Sequence, residues 1–426
     1  MTETLNVFLN DSLIGTLTCN RGKLSFSYEE AYLSRRGAIP LSNSLPLGAT
    51  VYRHKAVSAY FSNLLPDGDI RKKIARILHL SASNTFQLLR EIGEDCAGAV
   101  TLYAPNRDSR VECEPIYRPL SDSEAAEILG NLDCQPLNIK SDDLDYRLSG
   151  AGAQNKLIAC VEDGKIFLPL RGTPSTHIIK PGIPDLPESV FNELFCMRLA
   201  ARCGIPAAQC RIYRWNDVPY YVVSRYDRQR NAAGQFRRIH QEDFGQALQV
   251  EPDRKYENEG GPGIADCVGL IAQLRLRAVD MLTFLRLVIF NFLIGNGDAH
   301  AKNFSVLYTD TQAQLAPAYD LISTAVYENL SRNMAMRIGE QYSFERITQG
   351  NFVRLGERLN ASYGLNVQKI LSTELNKMLQ TLLPEAEKLA EELNREEPSD
   401  IYAKIVVGIH RRRNKLASSD SGSVLS

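Results

Sequence analysis

The chain has 426 residues, with 49 lysines and arginines against 50 aspartates and glutamates, giving a net charge of −1. That balance offers no global attraction to nucleic acid or to an anionic membrane surface, and the length suits about two domains or one bilobed unit. A hydrophobic fraction of 44% is that of a globular protein and excludes a disordered one.

Met1–Gly15 lacks the basic and apolar regions of a signal peptide, so a cytoplasmic location is expected. Residues 1–60 alternate short apolar stretches with turn residues. Leu5–Leu9, Asn10–Asp11 and Leu13–Leu17 predict a hairpin meander. Phe61–Gly68 reads as a helix end and turn, followed by a helix through Ile70, Ile74, Ile77 and Leu78 and a short one over Phe86–Ile92, stopped at Gly93. A strand over Ala99–Tyr103 leads into a polar linker from Pro105 to about Pro119, and Ser121–Leu129 predicts a capped helix.

Tyr146–Lys156 is a small-residue loop entering a hairpin of strands Leu157–Val161 and Ile166–Leu170 around Asp163–Gly164. A β-branched strand, Thr176–Lys180, ends on a lysine. The helix Pro187–Cys203 follows, then a second hairpin, Arg211–Arg214 and Val218–Ser224, closed by Arg225-Tyr-Asp-Arg228. Nine cysteines without a C-x-x-C pair point to reduced thiols; Cys196, Cys203 and Cys210 recur every seven residues, but Gly204 and Pro206 end any helix before the third.

Beyond Gly234 the sequence predicts helices and loops, including the glycine-rich Asn258–Gly263, with helices over 265–294, 349–361, 367–395 and 399–415. The run 281–295 is too short for a membrane span and carries Arg286 and Asn291. It reads as a buried helix that breaks at Gly295–Asn296–Gly297 and presents Asp298, His300, Lys302 and Asn303 on the next loop. The basic run His410–Arg413 reads as a solvated helix face, and the tail 418–426 as disordered. The expected division is 1–104, β-rich; 105–145, linker and helix; 146–233, nucleotide-binding part of an N lobe; 234–417, helical catalytic C lobe; and the tail.

Asp298 and Asn303 have the D-x-x-x-x-N spacing of a kinase catalytic loop, where the Asp takes the acceptor proton and the Asn binds Mg²⁺. Asp320, seventeen residues after Asn303, stands where a second metal-binding acid belongs. Taken alone, each fragment is also what a cap or a turn would give. The order carries the reading. Ser149–Asn155, with Ala151, Gly152, Ala153 and Gln154, offers backbone N–H groups to phosphates. Lys180 can set a charge on the α/β-phosphates, and Glu193 is a candidate partner for it. Ser224 and Tyr226 fall where a hinge would read adenine, Gln241–Phe244 opens the helical part, His300 can shape the loop and Lys302 can offset transition-state charge.

These residues resemble the HipA-type serine/threonine kinases, toxins of bacterial type II toxin–antitoxin pairs. The resemblance spans nearly the whole chain. It includes Leu41-Ser-Asn-Ser-Leu-Pro-Leu47, Asn63-Leu-Leu-Pro-Asp-Gly68, Ile92–Val100, Ser149–Lys156, Thr176–Lys180, Arg225–Arg228, Gln241–Asp243, Gly260–Ile264, Ile294–Phe304 and Tyr319–Ile322. It implies an α+β, two-lobed, protein-kinase-like fold with an added β-rich N-terminal subdomain and a helical C-terminal lobe. It further implies Asp298 as catalytic base, Asn303 and Asp320 as Mg²⁺ ligands, Lys180 as the ATP lysine, and Ser149 as a serine autophosphorylated in trans to expel its loop. The implied substrate is an aminoacyl-tRNA synthetase, glutamyl-tRNA synthetase in the best-known branch, whose modification brings growth arrest and persistence. The implied partner is a HipB-like helix-turn-helix antitoxin, through which operator DNA is bound and transcription repressed. Gly150 stands where that branch has a bulkier apolar residue, and Ser224 where it has an acid. The alternatives are a small-molecule phosphotransferase of the aminoglycoside-kinase type and a catalytically idle co-repressor.

Overall fold

The structure, a computed structural model, describes residues 2–105, 115–140, 145–232, 234–309, 312–363 and 366–418. It is an α+β protein with a helical C-terminal region, and the chain divides into two compact units. The first comprises Met1–Pro181, Tyr213–Asp253 and Val306–Ala313; the second comprises Gly182–Ile212, Arg254–Ser305 and Gln314–Ser426.

The first unit begins with the expected meander: strands Thr2–Leu9, Ser12–Asn20 and Lys23–Tyr28 pair antiparallel, and Val100–Tyr103 adds to the outer edge of the first. The meander stops earlier than expected. His54–Ser62 is a helix, because Val57, Tyr60 and Phe61 recur at helical spacing and all three are buried. A second sheet places Val218–Ser224, His177–Lys180, Leu157–Glu162, Lys165–Leu170 and Ile116–Pro119 side by side in that order. Ile116–Pro119 falls within the expected linker but pairs as an edge strand with Lys165–Leu170, a partner too distant in sequence to foresee. The remainder of that linker, 106–114, lies outside the described residues. Both sheets share one apolar core with the helices Gly68–Ile77 and Thr85–Ile92. Ser121 caps the helix Asp122–Gly130 in a capping box with Glu124, as its sequence predicts. Asn216 and Asp217 both take positive φ and close the second hairpin, the conformation that Asn and Asp tolerate best.

A buried ion cluster crosses this unit. Asp95 accepts from Arg228 Nη2 and Arg238 Nε, both at 2.8 Å, and from Ser175 Oγ at 2.6 Å. Asp227 accepts from Arg225 Nη2 at 2.9 Å and from the Gly98 N–H at 2.7 Å. Three buried guanidinium groups thus share two buried carboxylates, and the Arg225-Tyr-Asp-Arg228 motif becomes a structural clasp on the Asp95–Gly98 turn. A second buried acid, Glu242, accepts from Ser42 Oγ at 2.5 Å, from the Asn43 N–H at 2.8 Å and from Tyr308 Oη. That contact ties the Leu41–Leu47 motif to a residue two hundred positions away.

The second unit is built round the helix Ala278–Ile294, buried on nearly every side, as its unbroken apolar sequence predicts. Val367–Glu396 and Ile401–Ser418 pack against it, and Ser189–Arg202 packs against those two. The expected helical stretch 265–294 consists of two helices, Ile264–Gln273 and Ala278–Ile294, separated where Arg275 takes φ +52°. In this unit the hairpin Asn333–Ile338/Gln341–Ser343 replaces an expected loop, as the short strand Ser305–Tyr308, most of which belongs to the first unit, does there. The last helix runs to Ser418, and the rest of the tail lies outside the described residues. The eight described cysteines form no disulfide. Burial pushes the thiols of Cys96 and Cys203 up to about 12 and that of Cys160 up to about 11.

Two measurements test these clusters. Asp95→Asn leaves three buried guanidinium groups against one carboxylate and is expected to cost about 3–5 kcal/mol in urea unfolding. The surrounding arginines hold the Asp95 carboxyl well below the usual range, so its stabilisation is full above about pH 4 and is lost as pH falls further. Glu242 has the opposite sign. Burial raises it to about 7, so its contribution is full below its unfolded value of about 4.3 and fades as pH rises through 7. The stability difference between wild type and Glu242→Gln is therefore expected to shrink from pH 5 to pH 8.

Candidate functional site

The end of the helix Ala278–Ile294 sets the loop that follows. A helix leaves its last four carbonyls without partners, and here every one is inside the protein. Gly295, at φ +76°, turns the chain back so that its N–H and that of Asn296 close on Asn291 and Phe292. Arg412 Nε donates to the Leu293 carbonyl at 2.8 Å, and Ser323 Oγ donates to that of Ile294 at 2.5 Å. Arg412 lies within the basic run 410–413, so the solvated-face reading fails for it. Ile405, Ile409 and Leu416 share its helix face and all are buried, which carries the guanidinium inward onto the helix end. Asn296 Oδ1 then accepts from the Asp298 N–H at 3.0 Å, and the Gly297 N–H donates to Thr324 Oγ1 at 2.7 Å. The loop is fixed at each step before Asp298.

Asp298 is 43% exposed at its side chain, while His300 is buried and stands 3.8 Å away. Burial pushes the His300 imidazole down to about 4, so the ring is neutral near pH 7 and the contact is not an ion pair. Asn303 Oδ1 accepts from the His300 N–H at 3.1 Å, and its Nδ2 donates to Asp320 Oδ2 at 3.1 Å. Asp320 sits at φ +58°, a strained conformation that faces its carboxylate towards Asn303. As it stands the amide nitrogen of Asn303 faces Asp320; a magnesium ion, which takes few protein ligands and completes its shell with water and phosphate, would need that amide to turn its oxygen towards the carboxylate. Lys302 is half-buried in the same short 3₁₀ turn. Glu193 belongs to this unit too, buried on the helix Ser189–Arg202.

The first unit carries the other candidates. Lys180 is buried at the end of its strand, its Nζ 5.7 Å from the centre of the Tyr221 ring on the neighbouring strand. Ser224 pairs with His177 at the other end of the same ladder, and Tyr226 Oη donates to Gln241 Oε1 at 2.6 Å. The glycine-bearing loop is drawn inward. Ser149 is buried, donates through Oγ to the Leu64 carbonyl at 2.5 Å and through its N–H to the Asp95 carbonyl at 3.1 Å. The Asp67 N–H donates to the Gly152 carbonyl at 3.1 Å, Lys156 Nζ holds the Ala151 carbonyl, and Gln154 Nε2 lies 3.4 Å from the Pro181 carbonyl. Ala153 is exposed. A side chain at Gly150 would meet Leu137 at 2.8 Å and Ile158 at 2.9 Å, which accounts for glycine there.

One residue escaped the sequence reading altogether. Tyr256 Oη donates to Asp298 Oδ1 at 2.5 Å. Nothing in the spacing signals it, because it lies 42 residues upstream in a different loop.

The comparisons agree with this architecture. Residues 5–103 match the model of the HipA N-terminal domain, and residues 148–389 that of the HipA-like C-terminal domain. Y4mE, a provisionally named kinase of Sinorhizobium fredii, is 42% identical over 345 residues, covering 80% of this chain and 81% of that protein. The serine/threonine-protein kinase toxin HipA of Shewanella oneidensis is 33% identical over 355 residues, covering 80% of each chain. The solved complex of Shewanella oneidensis HipA with HipB and operator DNA contains a chain that superposes with a TM-score of 0.83 at 26% identity, covering 97% of this chain and 98% of that one. These matches define a protein kinase of the toxin–antitoxin class. The chain belongs to the HipA family of serine/threonine kinases. No helix among the described residues is long and apolar enough to cross a membrane.

Gly295→Ala tests the loop directly. An added Cβ would lie 2.7 Å from the Ala325 Cβ and 2.8 Å from Arg412 Cζ, at a backbone angle that disfavours any side chain. The expected loss is about 1–3 kcal/mol in urea unfolding, with phosphotransfer falling as the loop shifts.

Proposed function

We propose that this chain is an ATP- and Mg²⁺-dependent toxin kinase that transfers the γ-phosphoryl group to serine, its own Ser149 included. The observation that carries this reading is the loop Asp298–Asn303 closed onto Asp320 by the Asn303 hydrogen bond. Asp298, fixed by the loop before it, receives the proton of the acceptor serine. The serine oxygen bonds to the γ-phosphorus while the bond to ADP breaks. Asn303 and Asp320 would hold Mg²⁺, which neutralises phosphate charge when bound. Lys302 adds positive charge beside them. In the first unit Lys180 would meet the α/β-phosphates, the backbone at Ala151, Gly152, Ala153 and Gln154 would cradle them, and Ser224 and Tyr226 would flank the adenine. His300, neutral and buried, shapes the loop and carries no charge in the reaction.

Self-modification fits the inward position of Ser149. A phosphate cannot occupy a buried site whose hydroxyl touches the Leu64 carbonyl, so modification requires the loop to leave and bars its return. The protein target in this reading is an aminoacyl-tRNA synthetase, glutamyl-tRNA synthetase first among candidates, acted on in the bacterial cytoplasm. The HipB and operator DNA of the Shewanella complex support a HipB-like antitoxin as partner here, with DNA held mainly through it.

The test is incubation with γ-labelled ATP and Mg²⁺ followed by mass mapping. Label on Ser149 of the wild type, absent in Asp298→Asn and after chelation of Mg²⁺, is the expected result. No label on freshly dephosphorylated protein that binds ATP would overturn the self-kinase reading.

A further inference from the structure

The contact between Tyr256 and Asp298 has a built support. Tyr256 lies in the loop 254–263, which folds back on itself so that the Glu259 and Gly261 N–H groups both donate to its carbonyl, at 3.0 and 2.8 Å. The glycines make that fold possible. A Cβ at Gly261 would lie 2.4 Å from the Arg254 carbonyl oxygen, one at Gly263 would lie 2.6 Å from Glu257 Oε1, and Gly260 takes φ +88°. Glu257 pins the loop to the strand Asn333–Ile338, with Oε1 2.8 Å from Arg337 Nε and Oε2 accepting the Arg337 N–H at 2.8 Å. The Tyr256 ring packs edge-on against His300, with centroids 5.6 Å apart. The sequence reads Asn258–Gly263 only as a glycine-rich loop. In the structure it is a rigid arm ending on the candidate catalytic carboxylate.

The arm engages one oxygen only. Asp298 Oδ1 takes the Tyr256 hydroxyl and faces His300, whereas no hydrogen bond from a described residue reaches Oδ2. A carboxylate on a surface loop rotates between two equivalent faces, and a proton acceptor must present one of them to the incoming hydroxyl. Burial and the neighbouring Asp298 charge both hold the Tyr256 phenol well above its ordinary range, so it remains the donor at any working pH.

We propose that Tyr256 is a positioning residue of this kinase: its hydroxyl fixes Asp298 Oδ1 and leaves Oδ2 to receive the acceptor proton. The proposal rests on Asp298 being the base, as argued above. Tyr256→Phe keeps the ring against His300 and removes only the donor. With the full-length Asp298→Ala chain as a fixed acceptor for labelled phosphate from ATP, Tyr256→Phe enzyme is expected to lose about tenfold or more in kcat, with the KM for ATP within about twofold of wild type. An unaltered thermal midpoint separates this from loss of fold. A second readout needs no nucleotide. Tetranitromethane attacks the phenolate, so mapped nitration of Tyr256 should be slow in wild type and faster in Asp298→Ala. Unchanged or raised kcat in Tyr256→Phe, or equal nitration in the two chains, would overturn the positioning role and leave Asp298 as base. Phosphotransfer by Asp298→Ala enzyme would instead remove Asp298 from the chemistry, and this proposal with it.

Discussion

A buried helix end is the constraint on which the candidate catalytic loop depends. Ala278–Ile294 is apolar nearly all round, so it is stable only inside the second unit, and its terminal carbonyls are buried with it. Carbonyls in that position cost energy unless something donates to them. The adjacent turn does so through Gly295 and Asn296, and two distant segments do so through Ser323, just after Asp320, and Arg412 of the last helix. Satisfying the helix therefore also fixes where the next residues go. Asp298 is placed by the same residues that end the helix, since Asn296 closes on Asn291 through its N–H and takes the Asp298 N–H on its side chain. The chemistry of this loop and the stability of this core are one arrangement.

The N-terminal hundred residues have a comparable role in the first unit. Their sequence motifs hold backbone and charge in place, with no evident chemistry of their own. Asn63–Gly68 supplies the Leu64 carbonyl and the Asp67 N–H that hold the Ser149 loop inward. Ile92–Val100 supplies Asp95, whose carbonyl takes the Ser149 N–H while its carboxylate anchors Arg228 and Arg238. Leu41–Leu47 is clasped by Glu242. The unit is thus cross-braced by buried charge, which is intolerant of losing a single partner. That arrangement exacts specific pairing in return for a defined loop position.

Local patterns were legible in the sequence and distant pairings were not. The buried helix, its glycine break, both hairpins and the capped helix at Ser121 follow from periodicity and turn chemistry within a few residues. The Asp298, Asn303 and Asp320 grouping was legible from spacing and order, and the structure brings Asn303 and Asp320 into contact. The strand Ile116–Pro119 and the strands after residue 300 are short, and only their partners define them. The helix His54–Ser62 had a readable period that the flanking turn residues obscured. Arg412 was also readable in principle, since it continues the Ile405–Ile409 stripe, but three adjacent arginines hid the inward one. For Tyr256 and Glu242 no local signal exists.

The cysteines offer a last consequence. Thiols held protonated by burial react slowly with electrophiles, and five of those described are shifted upward for that reason. Among the described cysteines only Cys134 is exposed. Its neighbour Asp133 accepts from Asn155 Nδ2, at the far end of the Ser149 loop, and from Lys73 through its carbonyl. A fluorophore coupled to Cys134 would therefore sit one residue from the point where that loop is tethered. The chain carries a natural labelling position from which any movement of that loop would be registered optically, without engineering a new thiol.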